Sequence, residues 1–361
     1  LMRLCASAAV TKSRCPPHFI SPFFRKPGGN LKQIVMAFFP NYGILEVTAE
    51  ESASYRQIQR RTHMGLFSKK KGPKEELKQN LEEKAEFQNL YQIYLLFEEK
   101  PVKPEAGIIR TALEETFGAI DIVSPSPALT SFAVKKYLAQ FKDGALPPQV
   151  VMGDVQEFRQ DSIDAFSRSQ LWDVADGDAL LERCRYEIFL FDMMAAVLEY
   201  KERCEMMMDW METAVRLFPD CTAVWVKPAG KLFTADQIRE HRIPREDRFV
   251  YFGVNARLFN ISGSDDKVVD TLGLYAIGLP DVQYHFRGLE PQAVVNHAYN
   301  VASYLYDADA PVKSGETIDG IADGQLSREV QWKCQYEDAL IQPVRVVMDI
   351  CPGEYAAGHR E

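Results

Sequence analysis

No apolar run in the 361-residue chain reaches the roughly 18 residues that a membrane-spanning helix needs. Its 21 glycines and 20 prolines are too few and too scattered for a collagen-like or low-complexity chain. Cysteine is sparse and badly spaced for bridging. Beyond residue 63 the chain has Cys184, Cys204, Cys221, Cys334 and Cys351, an odd set without a C-x-x-C pair. That excludes a disulfide framework or a zinc ribbon and fits reduced thiols. No serine sits in G-x-S-x-G, no helix carries H-E-x-x-H, and there is no Walker loop or dinucleotide fingerprint. The run Gly315–Gly324 lacks both the ligand order of a calcium loop and the G-K-[ST] of a phosphate loop, so it reads as a surface hairpin. Net positive charge is missing too. A formal charge of -9 argues against nucleic-acid and anionic-membrane partners.

What the chain does have is 46% hydrophobic and 26% charged residues, enough for a large core or two smaller ones. Charge is unevenly placed. Residues 1–63 carry nine Lys+Arg against three acids, a net +6, which leaves -15 for the remainder. Prolines and glycines at Pro16-Pro17, Pro27-Gly28-Gly29 and Pro40 break every period in this stretch. We read it as a disordered leader foreign to the rest, with Met64 as the start of the protein proper. Arg60-Arg61 can be encoded by a purine-rich, ribosome-binding sequence just before that codon. Residues 64–87 form a charged lead-in.

Periodicity then predicts strands at 90–97, 119–123, 130–134, 149–155, 185–192 and 223–227. Helices are predicted at 104–117 and 199–218, with short ones capped by Asp161 and Thr234. Strand, helix, strand, strand, helix, strand is a split βαβ, ferredoxin-like order. A second half begins at Arg242, with strands at 249–260, 272–277, 282–286, 330–336 and 343–350 and a helix at 291–306. The expected architecture is α+β, in two packed lobes at 88–241 and 242–352 with antiparallel or mixed sheets, followed by a tail at 353–361. The methionines of 206–208 and Met211 read as core filling.

The stretch from Asp270 to Phe286 is the richest in chemistry. On a strand, Asp281, Gln283 and His285 point to one side. With Asp270 they could hold a water for general-base hydrolysis or a metal. The plainer expectation is a turn at Gly278–Asp281 in which Asp281 satisfies loop amides. Asn255 and Arg257 share a strand face and could clamp an anion together with Gln283, or Arg257 could pair with Asp270 across the sheet, which we favour. His297, alone on a helix, reads as structural.

The segments Asn255-x-Arg257, Asp270-Thr271-x-Gly273-Leu274, Gly278-Leu279-Pro280-Asp281-x-Gln283, the Gly-Glu-Thr-Ile-Asp-Gly loop and Arg345-Val346-Val347 resemble the bacterial family called domain of unknown function 4261. The likeness is sharpest over 249–350 and weaker over 90–240. It implies a bacterial cytoplasmic protein and supplies no catalytic residues. The expected function is a non-catalytic protein-binding or regulatory module, including toxin neutralisation, that presents an acidic surface to a protein partner and needs no cofactor or metal. The alternative is a metal-dependent or general-base hydrolase using Asp270, Asp281 and His285.

Overall fold

The computed structural model describes residues 77–358; the basic leader and the Met64 start lie outside them. The first part of the described chain runs β1 (Ile93–Phe97), α1 (Ala106–Phe117), β2 (Ile120–Ser126), β3 (Leu129–Val134), β4 (Ala139–Phe141), β5 (Gly144–Leu146), β6 (Gln149–Gly153) and β7 (Gln156–Glu157). It continues through α2 (Ala165–Arg168), α3 (Gly177–Arg183), β8 (Tyr186–Met193), α4 (Tyr200–Leu217), β9 (Ala223–Val226), β10 (Lys231–Thr234) and α5 (Ala235–Glu240). These strands form an antiparallel sheet in the order β10-β9-β1-β8-β6-β3-β2, with β7 also on β8 and β4–β5 a separate hairpin. The central β9-β1-β8-β6 has the split βαβ order; β10 extends one edge and the β3–β2 hairpin the other.

Local chemistry explains most of the boundaries. α1 buries Ile109, Leu113 and Phe117 and stops at Gly118, whose φ of 79° few other residues tolerate. Glu199 caps α4 by accepting from the amides of Lys201 and Glu202. The methionines Met206, Met207, Met208 and Met211 of α4 are all buried in the core. β2 runs on through Ser124-Pro125-Ser126, where a break was expected. It is an edge strand with a bulge after Ile122, so the missing proline N–H costs no ladder bond. Asp164, rather than Asp161, caps the short helix, accepting from Ser167 N at 2.8 Å.

The second part contains α6 (Arg248–Gly253), β11 (Asn255–Asn260), β12 (Lys267–Leu272), β13 (Asp281–Phe286), α7 (Pro291–Ala308), β14 (Thr317–Ala322), β15 (Gln325–Asp338) and β16 (Val346–Cys351). Its sheet runs β11-β12-β13-β16-β15-β14, antiparallel except for the parallel β13–β16 pair, with α7 packed on β11, β12 and β13. The strand expected from Phe249 begins only at Asn255. Phe249, Val250 and Phe252 are all buried, so that run is apolar on every side and its period does not separate helix from strand. Arg248 fixes the helix by reaching Glu212 and Asp209 of α4 at 2.6 and 2.8 Å.

The strand expected at 272–277 is likewise replaced. β12 ends at Leu272 and a 3-10 turn (Leu274–Ile277) follows. A Cβ on Gly273, at φ 144°, would stand 2.0 Å from the Gly253 carbonyl oxygen, so only glycine fits there. The end of the lead-in shows no helix. It lies along the 339–345 loop, with Ala85 N on Val344 O at 2.9 Å and Val344 N on Glu83 O at 2.7 Å, before the chain enters β1. A single apolar cluster takes residues from both sheets, from Tyr91 and Ile93 to Tyr284, Met348 and Ile350. Among the described residues no helix is long and apolar enough to cross a membrane.

Candidate functional site

Cross-strand register sets Arg257 of β11 opposite Asp270 of β12. Both are buried, and the guanidinium grips the carboxylate with Nε and Nη2 at 2.8 and 2.6 Å. Arg345, entering β16, completes the cluster. Its Nη2 donates to Asp270 Oδ2 at 2.8 Å and to the Thr271 carbonyl, and its Nε to Asp281 Oδ2 at 3.0 Å. Nη1 donates to the carbonyls of Pro343 and Ile341 at 2.9 and 3.3 Å. Asp281 also accepts from Thr271 Oγ1 at 3.0 Å and from the amides of Gly273, Leu274 and Tyr275 at 3.2–3.4 Å. Burial pushes the Asp281 carboxyl above its usual range, while Arg345 and Thr271 pull it back. Two arginines and two carboxylates thus neutralise one another in the interior, and each hydrogen bond is charge-assisted.

Asp281, Gln283 and His285 do not converge on one point. Gln283 is held by Asp349 at 3.0 Å, by Glu337 at 3.3 Å and by the Leu340 amide at 2.7 Å. His285 lies four strand residues from Asp281, about 13 Å at the usual rise. It stands 3.6 Å from Asp266, and its ring lies against Gly358. Asn255 is buried and spends its Nδ2 on the carbonyls of Gly230 and Gln170 at 3.1 and 3.3 Å, so it ties the two halves together instead of facing Arg257's partners. Among the described residues no three His, Cys, Asp or Glu side chains are grouped to hold a metal.

His297 is buried between Tyr284 Oη (2.6 Å from Nδ1) and the Asp319 carbonyl (2.7 Å from Nε2). A carbonyl only accepts, so Nε2 carries the proton and Nδ1 accepts from the tyrosine. Burial lowers its pKa to about 4.

Residues 270–351 match the family model described as Domain of unknown function (DUF4261). No curated protein and no solved structure matches the chain. The DUF4261 segment opens on Asp270 and closes at the end of β16, so it contains Asp270, Thr271, Asp281 and Arg345 but not Arg257. It takes in the end of β12 and all of β13, β14, β15 and β16, which lie side by side in the order β12-β13-β16-β15-β14.

Three arrangements outside the DUF4261 segment carry polar chemistry that the sequence reading missed. Lys231 is buried with its Nζ 2.5 Å from the Tyr251 carbonyl, 3.6 Å from Asp173 and over the rings of Phe233, Tyr251 and Tyr299. Asp209 of α4 accepts from both Arg245 and Arg248. Arg203 of α4 grips Asp192 of β8 with Nε at 2.5 Å and Nη2 at 3.1 Å, while its Nη1 donates to nothing among the described residues. Arg203 lines a cavity of about 370 Å³ at the start of α4. The Asp192–Arg203 spacing matches no motif, and the remaining partners are far apart in sequence; Arg345 alone stood in a quoted motif, with no signal of its role.

Proposed function

We propose that the protein is a non-catalytic binding or regulatory module of the bacterial cytoplasm that meets a basic protein partner through an acidic face. The observation that carries this reading is the exposed acidic stretch of chain that contains Trp172. Between Asp154 and Glu182 there are eight acidic residues against two arginines. Asp154, Glu157, Asp161, Asp164, Asp176, Asp178 and Glu182 are exposed. The two arginines are engaged within the face, Arg159 on Asp161 at 2.8 Å and Arg168 on Asp178 at 3.4 Å.

In the midst of these charges Trp172 is 47% exposed, its indole N–H fixed on Gln170 at 3.1 Å. A rigid aromatic with an acidic surround suits lysine- or arginine-rich partners, through cation–π contact and steering. Neutralising a basic toxin is one role of this kind. The inward pairing of Asp270 and Asp281 supports a binding function over hydrolysis, since both carboxylates are already occupied.

Affinity capture from the native cell with the wild-type chain and a Trp172→Ala/Asp176→Asn/Asp178→Asn variant tests the reading. A basic partner should be retained by the first, released by salt, and lost with the second. The same proteins retained by both would refute it.

A further inference from the structure

We infer that the cavity at the start of α4 is a binding site for a small zwitterion of the free α-amino acid class. This stands independently of the protein-partner reading, because the two surfaces share no residue. A volume of about 370 Å³ lies at the small end of ligand sites, which run from roughly 300 to 1,000 Å³. Phe87, Ala196, Leu198 and Ile277 give it apolar walls, and its polar lining is Glu199, Tyr200, Arg203 and Asp309.

Each polar group has a readable state. The Arg203 side chain is only 3% exposed, and Asp192 takes one edge of its guanidinium. The Phe87 ring lies over its face at 5.3 Å. Nη1 is left with no acceptor, and a buried charged donor without one is unfavourable. A ligand carboxylate supplies that acceptor. Tyr200 Oη is already spent on the Tyr306 carbonyl. Glu199 uses Oε2 on the amides of Lys201 and Glu202, which leaves Oε1 toward other partners.

Asp309 caps the C-terminus of α7 in the left-handed conformation, where the helix dipole favours a cation and not a carboxylate. The neighbouring Lys201 is turned to the Asp307 carbonyl and the Tyr306 ring. Arg203 and Asp192 cancel, so Glu199 and Asp309 give the lining an excess of negative charge. The chemistry that answers both ends is a carboxylate on Arg203 Nη1 and an ammonium between Glu199 and Asp309.

Calorimetry on the full chain tests this with a panel of the common amino acids, each beside its deaminated and its decarboxylated analogue. At least one amino acid should bind, with both analogues weaker by about tenfold or more. Asp309→Asn should weaken the amino acid by about tenfold and leave the deaminated analogue unchanged. Ala196→Phe, which fills the space and keeps the Arg203–Asp192 pair, should abolish binding in a chain that still melts cooperatively. No heat from any amino acid at millimolar concentration, equal affinity for Asp309→Asn, or binding retained by Ala196→Phe would each overturn the inference.

Discussion

Arg345 and Arg203 are both buried arginines held by aspartates, yet they end differently. Arg345 distributes all three of its nitrogens over Asp270, Asp281 and three carbonyls. Arg203 satisfies two nitrogens on Asp192 and leaves the third without an acceptor, in a residue that lines a cavity. The first lies within the stretch densest in recognisable motifs; the second lies where the sequence offers none. A dense motif is therefore no guide to open chemistry, because the same residue types that make a reactive site also knit strands together when every donor finds an acceptor.

The contrast predicts a ranking of effects. Arg345→Lys cannot serve two carboxylates and three carbonyls at once, and leaving one buried charge uncompensated costs about 3–5 kcal/mol. Urea unfolding should show the free energy of unfolding lower by that amount, through a lower midpoint with little change in slope.

Acid tests whether buried arginine pairs or the neutral His297 sets the first loss of stability. Arginine does not titrate in this range. His297 has its folded pKa lowered to about 4 by burial, against about 6.5 in the unfolded chain. The unfolded state therefore binds the proton first as pH falls through this window. Stability is full above pH 6.5 and declines toward pH 4 by on the order of 3 kcal/mol, and His297→Gln should flatten the decline.

Arg203→Lys, with one aspartate to satisfy, should cost less than its counterpart at Arg345, about 1.5–3 kcal/mol by the same measurement. Equal losses at the two arginines would erase the distinction. Trp172→Ala, at an exposed position, should change the free energy of unfolding by no more than about 0.5 kcal/mol, which separates partner loss from unfolding.

Much of the backbone was readable in advance because long periodic segments declare themselves. α4 and α7 lie within two residues of the expected limits, since each has an acidic cap at its start and an apolar stripe. β8 was equally plain. Arg257 with Asp270 was readable too, because two opposite charges on adjacent strands have few other partners. The helix at Arg248–Gly253 was not, since its anchor is a pair of acids on α4 some 36 to 39 residues earlier. Arg345 escaped notice for the same reason. Its carboxylates lie 64 and 75 residues away, and no local pattern encodes a contact at that separation.

The central claim is that Asp270 and Asp281 hold the fold together. Urea unfolding of Asp270→Asn, an isosteric change that removes only the charge, bears on it without further assumptions. A structural carboxylate shared by Arg257 and Arg345 predicts a loss of about 3 kcal/mol or more. A carboxylate kept for chemistry predicts the opposite, because neutralising a strained active-site charge leaves stability unchanged or raises it. An Asp270→Asn chain as stable as the wild type would contradict the account.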